Sequence, residues 1–284
     1  MKTRHLVMQE VGALLPAGLR VWLATRTKAF RRLVAPGQEF VFDRYLGELR
    51  VVIDVTYPIE VQMMSGSYDP DSSALIRRLY RPDWVSMDVG ANVGALTLLM
   101  AQLSPKGEVT AVEPGPVICS RLRRNLELNP QLSSRVAVFE LGLSDQPGRL
   151  FWSEDQGNRG NAGLLGAAGQ SVPVVTLDEL VRQRTLSRLD FLKIDVEGME
   201  LEVIKGATAS IQRFRPILYY ETLAAFNQVR GFDVQAAVSA LMASLGYREF
   251  SVLSGGRWRP HAGAGERSSN TLAVPSERMD EFER

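Results

Sequence analysis

The sequence predicts an α/β fold built on a mostly parallel, doubly wound sheet. Near-continuous apolar runs such as Val85–Val89 alternate with amphipathic helical segments, which is typical of strands buried on both faces. Glycine-bracketed turns and acidic residues follow these runs, at the positions where open parallel sheets bind ligands. The 284 residues, 45% of them hydrophobic, suffice for one large domain or for one domain with an appendage.

The composition narrows the class of protein. Lysine and arginine number 33 against 32 acidic residues, and this balance argues against nucleic-acid binding over the chain as a whole. The single cysteine excludes an intramolecular disulfide and fits a reducing compartment. Gln9 and Glu10 interrupt the apolar segment that a signal peptide needs, and no apolar run reaches the roughly 18 residues of a membrane span. We therefore expect a cytoplasmic protein.

The N-terminal segment is strongly basic. Residues 1–37 contain seven lysines and arginines against one acid, Glu10, with Trp22 and Phe30 among apolar residues. This pattern predicts either a peripheral membrane or partner contact through residues 1–34, or a basic helical extension packed on the domain. The predicted domains are an N-terminal extension of helix and hairpin (1–62), a ligand-binding domain (63–275) and a frayed tail (276–284).

The elements follow in order along the chain. β-branched runs around Gly47 predict a hairpin over residues 40–55, and a helix follows at 73–80. Thr176 and Glu179 have the spacing of a helix capping box. Strands are predicted at 85–89, 108–114, 136–143, 190–194, 216–221, 247–253 and 271–275, and further helices around 93–103, 118–126, 201–214 and 234–245.

A glycine-rich segment interrupts this alternation. Between residues 153 and 170, glycine recurs at every third position from 157 to 169. The pattern predicts a mobile loop, and a lid over the ligand site is the functional alternative.

The first diagnostic motif is "DVGANVG", residues 88–94. A dinucleotide site would have G-x-G-x-x-G, but Asn92 takes the middle position, which weakens the pyrophosphate interpretation. A ligand with an amino acid end tolerates this side chain, and Asp88 is placed to hold its ammonium directly or through water, a pattern that suits S-adenosylmethionine. Glu113, 19 positions after Gly94, is placed to accept ribose hydroxyls. Nicotinamide enzymes use an acid in the same way, so an NAD(P)-dependent oxidoreductase stays open as an alternative.

The second diagnostic motif is "LKIDVEGME". Asp195 falls at the carboxyl end of the fourth strand of the repeating pattern, beside the switch point of the sheet, and Glu197 follows in the turn closed by Gly198. Two carboxylates here are suited to act as a general base or to hold a substrate hydroxyl. The alternatives are structural, with Glu197 as a helix cap or the partner of a nearby lysine and Asp195 as a hydrogen-bond acceptor.

Five segments together resemble the FkbM family of S-adenosylmethionine-dependent methyltransferases: "VSMDVGANVGALTLLMAQ", "VTAVEPGP", "LGLSDQPG", "FLKIDVEGMELEVIKGA" and "ILYYE". The resemblance covers roughly residues 63–275. It implies a seven-stranded Rossmann-like methyltransferase sheet with the last strand antiparallel, and methyl transfer to oxygen. The acceptor would be a hydroxyl of a sugar, glycolipid or secondary metabolite, as a free small molecule or lipid-linked.

The resemblance also implies the roles of individual residues. The motif residues bordering the methionine part of S-adenosyl-L-methionine would be Asp88, Gly90, Asn92 and Gly94. Glu113, followed by Pro114, would border the ribose, and Asp195 and Glu197 would face the reacting hydroxyl. The residues beside the adenine would be Leu143, Ser144 and Asp145.

An alcohol is a poor nucleophile, so methyl transfer to oxygen calls for a base. His5 and His261 are both predicted at the surface, which leaves Asp195 or Glu197, with Glu221 nearby at the end of the fifth strand. Acids at neighbouring strand ends are also compatible with a divalent cation, as in catechol-type methyltransferases, although no metal ligands are assigned. A module that binds the donor without catalysis is the third functional class.

Overall fold

The computed structural model describes residues 39–54, 57–66, 68–154, 162–163, 169–261 and 269–282. Its strands are β1 (Glu39–Tyr45), β2 (Leu49–Asp54), β3 (Val85–Val89), β4 (Glu108–Val112), β5 (Val136–Phe139), β6 (Gly142–Leu143), β7 (Gly148–Glu154), β8 (Ala162–Gly163), β9 (Gln170–Val175), β10 (Phe191–Ile194), β11 (Ile217–Glu221), β12 (Tyr247–Leu253), β13 (Arg257–Pro260) and β14 (Asn270–Pro275). Its helices are α1 (Pro58–Ser65), α2 (Pro70–Leu79), α3 (Ala95–Leu103), α4 (Pro116–Glu127), α5 (Pro130–Ser133), α6 (Leu177–Gln183), α7 (Glu200–Lys205), α8 (Thr208–Phe214), α9 (Ala225–Arg230) and α10 (Val234–Ser244), with a 3₁₀ helix at Ser276–Glu281. The basic residues 1–37 lie outside the described part.

The central sheet has the strand order β13-β12-β14-β11-β10-β3-β4-β5. The five strands from β11 to β5 are parallel to one another, and β14 is inserted antiparallel between β11 and β12. The predicted α/β fold, with seven strands and an antiparallel last strand, is therefore confirmed. The eighth strand, β13, was not predicted, because "RWRP" is a short and mostly exposed edge without apolar alternation.

Helices cover both faces of this sheet. Helices α2, α3 and α4 pack on one face, where Ile76, Leu99 and Leu122 are buried. Helices α6, α7, α8 and α10 pack on the other, around Ile204 and neighbouring apolar side chains. Because successive side chains of a strand point to opposite faces, β4, β5, β10 and β11 contribute apolar residues to both layers, whereas β3 places Met87 and Val89 in one layer and the buried polar Ser86 and Asp88 on the other face.

Three predicted elements differ in the structure. The strand predicted over 136–143 is confirmed only as far as Phe139, because the chain then leaves the central sheet and Gly142 pairs with β9 in a separate small sheet. The single helix predicted over 201–214 divides after α7. At Gly206 a Cβ would lie 2.1 Å from the carbonyl oxygen of Ser144, so the backbones approach too closely for a side chain. The predicted frayed tail is wrong up to Phe282, whose ring is buried against Trp258 with centroids 5.7 Å apart.

The hairpin of β1 and β2 is present as predicted, and it packs on the main domain. Its Tyr45 and Leu49 belong to the same buried cluster as α3 and α4. The Asn125 side chain of α4 accepts a hydrogen bond from the backbone N–H of Val52 at 2.8 Å. Helix α1 then runs through the proposed domain boundary at residues 62–63.

An ion-pair network fastens α1 and the hairpin to α4. The Glu60 carboxylate is fully buried and accepts two hydrogen bonds from the Arg121 guanidinium, at 2.5 and 2.7 Å, and one from the N–H of Asp54 at 2.5 Å. Arg121 also pairs with Glu39 of β1. The network holds α1 in place beside the carboxyl ends of the strands.

We expect Arg121→Met to lower the free energy of unfolding by about 3–5 kcal/mol, because it leaves the buried Glu60 carboxylate without its cation. The matched control is Arg124→Met, which removes a half-exposed guanidinium from Glu39 and should cost about 0–1 kcal/mol. Urea denaturation of both variants measures the difference. Equal losses of unfolding free energy in the two variants would show that the buried Glu60–Arg121 pair stabilises the fold no more than the exposed Glu39–Arg124 pair.

Candidate active site

A cavity of about 390 Å³ opens at the carboxyl ends of the parallel strands. This volume lies within the range of about 300–1,000 Å³ that is usual for small-molecule sites. Its apolar wall includes Val112, Pro114, Ile118, Leu141, Leu143 and Trp152. Its acidic lining residues are Asp69, Glu113, Asp195, Glu197 and Glu221, and the described lining contains no lysine, arginine or histidine.

The turn after β3 brings backbone close to the cavity. Gly90 has φ +77°, Asn92 has φ +51° and Gly94 has φ +90°, so the motif turns through the left-handed region three times. A Cβ on Gly90 would lie 1.8 Å from the carbonyl oxygen of Asp195. The glycine is therefore required by the close approach of two turns, one after β3 and the other after β10.

Glu113 is held rigidly at the end of β4. One carboxylate oxygen accepts the backbone N–H of Asn92 and the other that of Gly115, both at 2.9 Å. The side chain lines the cavity although the residue is only 5% exposed, and burial raises its pKa to about 7. Because the Glu113 carboxylate fixes the backbone of Asn92, the end of β4 and the turn after β3 are coupled.

Asp88 occupies a different place from the one the sequence predicted. It is fully buried, and its carboxylate accepts the Thr97 hydroxyl at 2.5 Å and lies 3.1 Å from the Lys193 ammonium. It does not line the cavity, so the predicted direct contact with a ligand ammonium is not part of this geometry. Asp88 instead anchors the turn from below, through Thr97 on α3 and Lys193 on β10.

Asp195 and Glu197 both line the cavity, as predicted. Glu197 has φ +54°, a left-handed conformation that is uncommon outside glycine and is often found at functional sites. The turn is held from behind by Glu200, whose carboxylate accepts the N–H groups of Val196 and Gly198 at 3.3 and 3.1 Å. The turn therefore places Glu197 at the cavity, and its side chain does not cap α7.

The acids around the cavity make one another harder to ionise. Burial raises the pKa of Glu197 to about 7, with further contributions from Asp195 and Glu200. Burial also raises the pKa of Glu221, at the end of β11, to about 8, and Asp195, Asp69 and Glu197 add to that shift. These carboxyl groups therefore titrate near neutral pH, where a general base is most effective.

The structure brings together most of the predicted site residues. Those that line the cavity are Gly90, Asn92, Glu113, Pro114, Leu143, Asp195 and Glu197, whereas Asp88, Gly94, Ser144 and Asp145 do not. Gly94 packs under Leu122, since a Cβ there would lie 2.3 Å from that side chain. The Ser144 carbonyl lies against Gly206, in the turn after β6.

Several lining residues were not predicted as site residues. Glu221 is not one of these, because it was expected beside the catalytic acids, and it lines the cavity. Tyr68 and Asp69 precede α2 in a stretch that reads only as a turn, and Trp152 lies in β7 far along the chain. Their approach to the cavity depends on tertiary packing, for which the sequence has no local pattern.

Other expectations concern groups away from the cavity. His261 is not a surface residue, because its side chain is 11% exposed and lies 3.6 Å from the Glu249 carboxylate. Within the described ranges, no group of three or more His, Cys, Asp or Glu side chains is arranged to hold a metal ion. Most of the segment predicted as a loop or lid lies outside the described residues, as does His5. No helix in the described part of the chain is long and apolar enough to cross a membrane.

Comparison with known proteins places this geometry in context. The family profile described as "Methyltransferase FkbM domain" matches residues 88–249. The 2-O-methyltransferase NoeI of Sinorhizobium fredii is 28% identical over 178 residues, which cover 54% of this chain and 72% of the relative. The hexuronic acid methyltransferase AglP of Haloferax volcanii is 28% identical over 197 residues, covering 69% and 77%. Methyltransferase sdnD of Sordaria araneosa is 29% identical over 190 residues, covering 52% and 73%.

Among solved structures, the chain is similar to a methyltransferase FkbM from Methylobacillus flagellatus. The two share 19% sequence identity with a TM-score of 0.47. The match covers 71% of this chain and 47% of that one.

We expect Gly90→Ala to destabilise the protein by about 3 kcal/mol or more, because a left-handed alanine costs roughly 1–2 kcal/mol and the clash with the Asp195 carbonyl adds to it. The control is Gly231→Ala, which has a similar φ of +74° but no atom within 4 Å of its Cβ. It should cost only the conformational part, about 1–2 kcal/mol. Urea denaturation compares the two, and a Gly90→Ala variant as stable as Gly231→Ala would contradict the close approach.

Proposed function

The chain belongs to the FkbM methyltransferase family, and from this premise we propose that it transfers the methyl group of S-adenosyl-L-methionine to a hydroxyl oxygen of a sugar or a similar polyol. The observation that supports this most directly is the placement of Glu113, Asp195 and Glu197 around one cavity at the carboxyl ends of β4 and β10. The family membership disfavours the oxidoreductase alternative. Cavity-lining Asp195 and Glu197 argue against a module without catalysis.

The residues of the cavity fit the donor chemically. Glu113 presents a fixed carboxylate suited to the two ribose hydroxyls, since each of its oxygens keeps a lone pair beyond the one N–H that it accepts. The apolar lining, with Leu143 and Trp152 within it, suits the flat adenine ring. The acidic remainder suits a ligand that carries a sulfonium and an ammonium. When bound, the donor supplies an electrophilic methyl group on sulfur.

Glu197 is the proposed general base. Its carboxylate would take the proton of the acceptor hydroxyl when that oxygen accepts the methyl group and the methyl–sulfur bond breaks, with S-adenosylhomocysteine as the leaving group, and the carboxyl group would then return the proton to solvent. No described group donates a hydrogen bond to Glu197, so its oxygens are available to a substrate. Asp195, held by the Lys193 ammonium at 3.4 Å, is the proposed acceptor of a hydrogen bond that orients the same hydroxyl.

We expect Glu197→Gln to lower kcat by about 10²–10⁴-fold, the usual contribution of a general base, without weakening S-adenosylhomocysteine binding. In the wild type, kcat should rise with pH through about 7, because the base acts only when deprotonated and its pKa is raised to about 7. Methyl-transfer rates between pH 5.5 and 9 measure both effects.

The control for this experiment is Glu127→Gln, which changes an exposed carboxyl at the end of α4. It should leave the pH profile and kcat as in the wild type. A Glu197→Gln variant with a wild-type kcat and the same rise near pH 7 would rule out Glu197 as the base.

The charge of the cavity also bears on the acceptor. NoeI is named as a 2-O-methyltransferase and AglP as a methyltransferase of hexuronic acid, and these names support a sugar hydroxyl as the acceptor. The five lining carboxyl groups, without a basic residue among the described lining, disfavour an acceptor that carries its own carboxylate. The proposed acceptor is a neutral or amine-bearing sugar.

We expect methyl transfer to a neutral hexoside or an aminohexoside to exceed transfer to the matching hexuronide, because the charged side chains among the described cavity-lining residues are all acidic and repel the hexuronide carboxylate. Incubation with methyl-labelled S-adenosylmethionine and each of the three compounds, followed by mass spectrometry, measures the order. Faster transfer to the hexuronide would overturn the charge argument. Absence of methyl transfer to any hydroxyl compound in a wider panel would overturn the proposed activity itself.

A further inference from the structure

Lys193 is a buried lysine between the turn after β3 and the acids of the cavity. It is 3% exposed and lies opposite Asp88 in the register of the parallel strands β10 and β3. Its ammonium donates to the carbonyl oxygen of Gly90 at 2.9 Å and lies 3.1 Å from the Asp88 carboxylate and 3.4 Å from that of Asp195. The Lys193 ammonium therefore contacts three groups: the Gly90 turn, the Asp88 carboxylate that anchors this turn, and the Asp195 carboxylate on the cavity wall.

The charges around Lys193 show which of these contacts the fold requires. Burial disfavours the charged ammonium, but the carboxylates of Asp88 and Asp195 outweigh it, so the pKa of Lys193 is raised and the group stays ionised. Tyr68 adds to this effect, and Asp69, Glu113, Glu197 and Glu221 also interact with the ammonium. Asp88, fully buried and bonded to Thr97, already provides a counterion for the ammonium. The second contact, between the Lys193 ammonium and the Asp195 carboxylate, is therefore not needed to neutralise the charge of the buried lysine.

We propose that Lys193 is a positioning residue for methyl transfer, which sets the Asp195 carboxylate at a fixed place relative to the Gly90 turn. This inference rests on the proposed function, since it assigns the Gly90 turn to the donor and Asp195 to the acceptor hydroxyl. The strand register supplies the rigidity: Gly90 and Asp195 each directly follow a strand, β3 and β10, that pairs with the other. The Lys193 ammonium contacts both turns and so fixes the position of the acceptor-side Asp195 relative to the donor-side Gly90 turn.

Lys193 also offsets the repulsion among the cavity acids. Glu197 faces Asp195, Glu200 and Lys193, and Glu221 faces Asp195, Asp69, Glu197 and Lys193. In both sets Lys193 is the group that favours the ionised carboxylate. Without its ammonium, Glu197 and Glu221 lose the group that favours their ionised forms, and both ionise at higher pH.

The test uses a neutral background, because Lys193→Met alone leaves Asp88 as an uncompensated buried charge and destabilises the fold. Asp88→Asn keeps the shape of the side chain and removes that charge. The informative comparison is Asp88→Asn against the double variant Asp88→Asn with Lys193→Met. Circular dichroism and thermal unfolding establish that both are folded.

Two measurements are made on this pair. The first is a carbon-13 NMR titration of the side-chain carboxyl groups without ligand, with Glu197 assigned by Glu197→Gln. We expect the Glu197 signal to titrate at higher pH in the double variant, because the carboxyl group loses the cation that favours its ionised form. The second is kcat at saturating donor and acceptor as a function of pH. Here we expect about a tenfold loss and a midpoint moved to higher pH.

An unshifted Glu197 titration would overturn the inference, whether or not the protein methylates the chosen acceptors. A uniform loss of rate with an unmoved midpoint would assign Lys193 to the fold alone. Failure of the proposed function is a separate result: it would appear as absent methyl transfer by the wild type, while the NMR comparison would still decide the role of Lys193.

Discussion

The close approach of the Gly90 and Asp195 backbones is the constraint on which the rest of the site depends. These residues follow β3 and β10, two neighbouring parallel strands whose chains then leave to opposite faces of the sheet, into α3 and into α7. The crevice that opens where the chains diverge is the usual ligand site of an open α/β sheet. A glycine is required there because a side chain would overlap the facing carbonyl oxygen.

The polar residues of the site are arranged around this crevice in two layers. The lower layer, formed by Asp88, Thr97 and Lys193, is buried and internally paired, and it supports the turns from below. The upper layer is the set of carboxyl groups on the cavity wall, in which burial raises the pKa of Glu197 to about 7 and that of Glu221 to about 8. Stable pairing below and unsatisfied acids above suit a site that binds a cationic donor and removes a proton.

Sequence patterns predicted the parallel core because strands buried on both faces carry continuous apolar runs. The strand at Val85–Val89 and the acid that ends β4 were both placed correctly, since motif spacing determines them. Patterns along the chain did not predict the division of β5 from β6 or of α7 from α8, because the close approach of Gly206 to Ser144 is a contact between distant segments. Asp88 shows the same limit: the motif marked the residue, but only the packing of Lys193 and Thr97 shows that its carboxylate points away from the cavity.

The most direct test of this account is calorimetric titration of S-adenosylhomocysteine at pH 8, where a carboxyl group with a pKa of about 7 is ionised. The account predicts saturable binding to the wild type, binding weakened about 10- to 100-fold by Glu113→Gln, which removes charge-assisted hydrogen bonds worth roughly 1.5–3 kcal/mol, and no heat with NAD. Binding of NAD in place of S-adenosylhomocysteine, or equal binding by the wild type and Glu113→Gln, would contradict it.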